Sequence, residues 1–183
     1  GTLTLEGGGL KLTAANSYTG ATTVNSGLLL VDGSIASRVT VNSGGLLGGH
    51  GSFGGGLINA GGFLSPGNSP GTITSNGDLT FNNGSTYLAE ATSQTADKVV
   101  VNGAVAINNA QFSLSPSDAA YLINKRYNVL SASGGVTGSF GSLTSPLSFL
   151  NGNLSYDPNN VYLSFSLTPF SVAGRTINQR NVG

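Results

Sequence analysis

The chain has 183 residues, a formal net charge of zero, 8% charged residues, 29 glycines and no cysteine. This balance excludes a nucleic-acid partner, which needs a basic stripe to neutralise phosphates, and it offers no basic face to anionic lipid. Without cysteine there is no disulfide framework, thiolate metal site or cysteine nucleophile, a composition that fits export in extended form.

No apolar run approaches the ~18 residues that a membrane helix requires. No signal peptide opens the chain. It starts mid-pattern at Gly1-Thr2-Leu3-Thr4-Leu5, which reads as a fragment of a longer protein.

In chain order, Thr2–Leu5, Leu10–Thr13, Thr22–Val24 and Val39–Val41 alternate with period two and predict short strands. Gly44-Gly45, Gly48-Gly49 and Gly61-Gly62 disfavour helix and suit tight corners. A phrase then repeats at a fixed interval. Val24-Asn25-Ser26-Gly27 returns as Val41-Asn42-Ser43-Gly44 and as Ile58-Asn59-Ala60-Gly61, each step being 17 residues. Such a period with strand-like content predicts a solenoid, in which each unit buries its apolar face only by stacking on the next.

The repeat predicts inward ladders of Val24, Val41 and Ile58 and of Leu29, Leu46 and Phe63, with Leu30, Leu47 and Leu64 keeping the same step. Asn25, Asn42 and Asn59 are expected to form an amide ladder at a turn. Roughly nine rungs at ~4.8 Å would give a rod about 40 Å long.

From residue 78 the repeat loosens. Asp78–Gly84 and Lys98–Gly103 read as wider rungs, and Ala104–Ile107 and Gln111–Leu114 as further strands. Ser115-Pro116-Ser117-Asp118 has a helix-start pattern, which predicts a short helical turn over Ala119–Ile123. Strands are expected at Tyr127–Leu130, Phe140–Leu143, Leu154–Tyr156 and Val161–Leu167. The last two are joined by the turn residues Pro158-Asn159-Asn160.

Several of these segments resemble the passenger regions of bacterial autotransporters. Gly7–Val31, with Tyr18-Thr19-Gly20 and Thr22-Thr23-Val24-Asn25, is similar to the passenger-associated β-strand repeat. Ser65–Thr72, Asp97–Gly103 and Leu154–Leu163 resemble the Pro-Gly-Asn-Ser-Pro-Gly-Thr phrase, the Asp-led valine strand and the closing strand pair of such passengers. Asn178–Val182 resembles the linker into the β-barrel.

The resemblance implies an all-β, right-handed parallel β-helix with a C-terminal hairpin cap. It divides the chain into Gly/Asn-rich rungs over 1–90, autochaperone-like terminal rungs and cap over 91–168, and a linker over 169–183. It implies attachment to the Gram-negative outer membrane at the cell surface. The partners implied are the protein's own C-terminal β-barrel translocator and the outer-membrane assembly machinery.

Enzyme motifs fail on their context. Gly67-Asn68-Ser69-Pro70-Gly71 matches a nucleophile elbow, but Pro70 has no N–H for an oxyanion hole, and His50 is the chain's one histidine. Gly49–Gly54 matches a dinucleotide fingerprint, but no helix pattern follows, so a solenoid corner is expected. Phe53 stands where a calcium-binding β-roll repeat needs its aspartate. No two carboxylates share a strand at i, i+2 or the 17-residue step, which argues against paired acid–base catalysis. Asp97-Lys98 and Lys125-Arg126 read as solvated surface charges, and His50 as an exposed corner residue. No catalytic, cofactor or metal site is expected.

The leading expectation is a non-catalytic stem that nucleates β-helix folding during secretion. Its working residues are a cap of Phe112, Tyr121, Tyr127, Phe140, Phe149, Tyr156, Tyr162 and Phe165, with the hairpin around Asp157 and Asn160. The alternative is adhesion, in which the Asn-rich edge of residues 16–83 meets a second copy or a host surface.

Overall fold

A computed structural model describes residues 1–67, 70–116, 122–148 and 150–167. Alternating segments become strands, because one face of each is buried against the opposite wall and the other is solvated. Glycines and asparagines take the corners between them.

The first turn is β1 (Leu3–Leu5), β2 (Gly9–Leu12) and β3 (Ala15–Asn16). The second is β4 (Thr22–Val24), β5 (Gly27–Val31) and β6 (Ser34–Ile35). The third is β7 (Val39–Val41), β8 (Gly45–Gly49) and β9 (Ser52–Phe53). Then follow β10 (Gly56–Ile58), β11 (Phe63–Pro66) and β12 (Thr72–Ser75), and next β13 (Leu79–Phe81), β14 (Thr86–Ala91) and β15 (Lys98–Val101). The sixth turn is β16 (Val105–Asn108), β17 (Gln111–Pro116) and β18 (Arg126–Ala132). The last holds β19 (Val136–Ser139) and β20 (Ser142–Thr144) before a hairpin of β21 (Leu150–Tyr156) and β22 (Asn160–Leu167).

Like positions pair in parallel from turn to turn. They build a three-walled β-helix: one sheet of seven strands from β1 to β19, a second of seven from β2 to β20, and a third of eight from β3 to β18 plus the hairpin. No helix occurs among the described residues. Seven strands at ~4.8 Å make a rod about 30 Å long, shorter than the repeat alone suggests. The cause is one corner that lengthens, together with the third-wall strands, which grow from β6 (Ser34–Ile35) to β18 (Arg126–Ala132). Between the second and third walls the linking residues are 32–33 and 50–51, then 67–71, 92–97 and 117–125. Later turns therefore consume more chain.

The first wall places Val24, Val41 and Ile58 in register and fully buried, as the repeat predicts, and continues to Phe81 and Ile107. The second wall corrects the other ladder. Leu29 pairs with Leu47 and then Leu64, all fully buried, whereas Leu46 and Phe63 lie on the outer face beside Leu28. The corner at Gly44-Gly45 holds one residue more than the corner at Gly27. In a strand a one-residue shift exchanges the two faces. The inward file continues to Tyr87 and Phe112.

At the expected strand 140–143, Phe140 instead turns inward at a corner and β20 begins at Ser142. Of the expected helical turn, residues 119–121 lie outside the described residues. Ile123 and Asn124 form a simple turn, with Asn124 at φ 59°.

Candidate functional site

The amide ladder is continuous along one edge of the rod. Asn42 donates to Asn25 at 2.7 Å, Asn59 to Asn42 at 2.7 Å and Asn82 to Asn59 at 2.9 Å. Asn25 in turn donates to Oε1 of Glu6 at 2.8 Å. Each carboxamide thus accepts from the turn after it and donates to the turn before it, and the file ends on a carboxylate. A second file joins Asn102 to Asn76 at 3.1 Å.

The core changes character at the fifth turn. Phe81, Tyr87, Phe112 and Phe140 form an aromatic cluster with ring centroids 5.0–6.0 Å apart, mostly edge-to-face. Phe140 comes from the last turn and plugs the core, where Gly138 stands over Ile107 and supplies no side chain. Tyr87 is fully buried, and its hydroxyl donates to the Val129 carbonyl at 2.7 Å. Burial, reinforced by the charge of Asp97, pushes its pKa well up.

Asp97 is not a solvated surface charge: it is 1% exposed. Its Oδ1 accepts from the Gly71 N–H at 2.7 Å and its Oδ2 from the Glu90 N–H at 2.9 Å, so it pins the long corner of one turn to that of the next. Burial pushes its pKa up to about 6, against the pull of those two N–H groups. The neighbouring Lys98 is half-buried on the outer face.

The hairpin replaces the third strand of the last turn. β22 runs antiparallel to β18, with a register shift between Asn128 and Leu130, and β21 is antiparallel to β22. Asp157 organises the hairpin turn. It accepts from the Asn159 N–H at 2.8 Å, the Asn160 amide at 2.9 Å and the Tyr162 hydroxyl at 2.9 Å. These bonds hold its carboxyl below the usual range, the Asn159 N–H contributing most.

The same turn is sewn to the β-helix. Asn159 donates to the Ala132 carbonyl at 2.7 Å, Asn128 to Asn160 Oδ1 at 2.8 Å, and the Val136 N–H to the Pro158 carbonyl at 2.8 Å. Arg126 lies over the Tyr162 ring, 3.7 Å from its centroid.

The expected cap residues within the described residues therefore fall into three groups. Phe112 and Phe140 belong to the aromatic cluster. Tyr156, Asp157, Asn160 and Tyr162 sit in the hairpin, where the Tyr156 hydroxyl accepts from the Phe140 N–H at 3.0 Å and links these two groups. Tyr127 and Phe165 pack edge-to-face at 6.2 Å, and Tyr127 donates to the Thr92 carbonyl at 2.8 Å. Tyr121, Phe149 and the linker 169–183 lie outside the described residues.

The sequence reading missed Phe81, Tyr87 and Asp97. The signal for the first two is the phrase Phe81-Asn82, which continues Ile58-Asn59 after a 23-residue step.

His50 is half-exposed on the third turn, 3.6 Å from Asp32, which also holds Lys11 at 2.6 Å. Among the described residues no group of three metal-ligating side chains converges. The geometry is that of a sealed solenoid end with a cross-linked core.

No family model matches the chain. Over its whole length it is similar to two extracellular serine proteases of Serratia marcescens. It is 34% identical to one over 194 aligned residues and 29% identical to the other over 195. In both cases the chain spans 19% of the relative's length.

Proposed function

We propose that this chain is a non-catalytic stem segment of an autotransporter passenger, displayed outside the cell, whose C-terminal cap folds first and templates the turns that precede it. The observation that carries this reading is the hairpin turn around Asp157. It closes the third wall with antiparallel strands and binds β18 and β19 through Asn128, Ala132 and Val136. A closed end of this kind is a nucleus on which a one-dimensional stack can grow, since each added turn contacts only its neighbour.

The whole-length similarity to extracellular proteins supports the location. The proteolysis in their names is assigned here to regions outside the matched fifth. The chain's own histidine supports that assignment, because its imidazole lies 3.6 Å from the Asp32 carboxylate that Lys11 also engages. The barrel translocator and the assembly machinery are the partners this reading requires.

The test is surface display of the full-length protein carrying Asp157→Ala with Tyr162→Phe, scored by protease accessibility on intact cells. Display should fall several-fold while the amount synthesised is unchanged. Undiminished display would overturn the templating role. Cleavage of a protein substrate by the purified 183-residue chain would overturn the non-catalytic reading.

A further inference from the structure

The outer face of the third wall carries a shallow groove along the rod. Its floor is an in-register file that runs through Ser34, Ser52, Thr74, Val100, Ser131 and Asn160. These side chains alternate with the buried Ile35, Phe53, Ser75, Val101 and Ala132, so they point away from the core. Two concavities open on this face. One, of about 370 Å³, lies over the first four turns and reaches Asn76. The other, of about 310 Å³, runs from Asn102 to Asn160. The hydrogen bond from Asn102 to Asn76 joins their rims. From Ser34 to Asn160 the file covers about 24 Å at the strand spacing.

We propose that this groove binds an extended, uncharged polysaccharide chain lying parallel to the rod axis. Three observations select that class. No residue lining either concavity is charged; Lys98 and Arg126 stand on the same outer face but outside both concavities, so a uronate, a sulfated glycan or a phosphate-bearing polymer finds no counter-ion along their floors. The floor is the face of a fully paired sheet, so its backbone groups are consumed and an extended peptide cannot add as a strand. Finally, the hydroxyls of Ser34, Ser52, Thr74 and Ser131 have no hydrogen-bond partner among the described residues. They repeat along the axis as groups that both donate and accept, which matches the reciprocal chemistry of sugar hydroxyls. The small side chains leave room for a ring to approach. The inference goes beyond the stem reading, and a chain that binds no glycan is still a stem.

The experiment is isothermal titration of the whole chain with cellohexaose, laminarihexaose and maltohexaose. An oligogalacturonate and a Ser/Gly-rich peptide serve as the charged and peptidic comparators. Ser52→Trp and Ser131→Trp fill the groove from the outer face, where aromatic side chains suit a strand. Thr23→Trp places the same bulk on the first wall. Far-UV circular dichroism and the unfolding midpoint establish that each variant is folded.

The expected result is saturable binding of at least one neutral hexaose at millimolar ligand. It should weaken tenfold or more in both groove variants and be unchanged in Thr23→Trp. No binding of any neutral hexaose overturns the proposal, as does binding that survives both folded groove variants. Tighter binding of the oligogalacturonate or of the peptide overturns the class of ligand.

Discussion

The Tyr87 hydroxyl donates to the Val129 carbonyl at 2.7 Å, across the core from the second wall to the third. Val129 is the residue that the irregularity in β18 leaves out of register with β22. The bulge that lets the hairpin replace a parallel strand thus frees a carbonyl, and a buried phenol takes it up. Beside the ladder between β15 and β18, this hydrogen bond ties the seat of the cap to the middle of the rod across the core.

Tyr87→Phe should therefore cost about 1–3 kcal/mol, because it leaves a buried carbonyl without a donor while conserving the ring. Tyr87→Ala should cost about 3–5 kcal/mol by adding a cavity beside Phe112 and Phe140. Guanidinium midpoints of the purified chain check both. A Phe variant as stable as the parent would show that the hydrogen bond is energetically idle.

Asn42 sits in the ladder with both a donor and an acceptor partner. Asn42→Ala removes two hydrogen bonds and should cost roughly 1–3 kcal/mol. Asn108 donates at 3.5 Å at the end of the file, so Asn108→Ala should cost distinctly less. The comparison of the two midpoints tests whether position in the file sets the value.

Stability should fall as pH rises from about 4 to about 6 through Asp97. Its folded pKa is raised above the unfolded value of ~3.9, so the native chain keeps a proton that the unfolded chain releases. The contribution is full below the unfolded value and gone above the folded one. Asp157 acts in the opposite sense. Its pKa is lowered, so its contribution is present above the unfolded value and lost as pH falls through the folded one. Thermal melts between pH 3 and 7 should show the first slope vanish in Asp97→Asn and persist in Asp157→Asn.

Gly49 has φ +106°, and a Cβ there would run into the Val31 carbonyl of the turn before. Gly49→Ala should cost more than ~1–3 kcal/mol, since it adds a collision to an unfavourable backbone region. A midpoint shift smaller than that of Asn108→Ala would contradict the close approach of the two turns.

Much of this architecture is legible in the repeated Val-Asn-x-Gly phrase, because the corner it builds is set locally by an amide and a positive-φ glycine. The register after that corner is not. Leu28-Leu29-Leu30 and Leu46-Leu47 are apolar on both faces, so alternation cannot say which residue points inward. The extra glycine at Gly44-Gly45 decides it only in three dimensions. Asp97 misled for a related reason. Beside Lys98 it looks solvated, and the N–H groups of Gly71 and Glu90 that take up its carboxylate meet it only in three dimensions. The Asp157–Asn160 turn was readable from its turn chemistry, whereas its ties to Asn128, Ala132 and Val136 depend on a chain reversal that the sequence does not mark.

The growth in turn length falls mostly at the corner between the second and third walls and along the third-wall strands that follow it, while the Asn-bearing corner keeps its amides stacked from Asn25 to Asn82. Pitch and girth are thereby uncoupled. The rod can acquire outgrowths along one seam without any change in the spacing of its floors. Such a seam is where a pendant module could be grafted between Thr92 and Asp97, provided the carboxylate that clasps the neighbouring storey is kept.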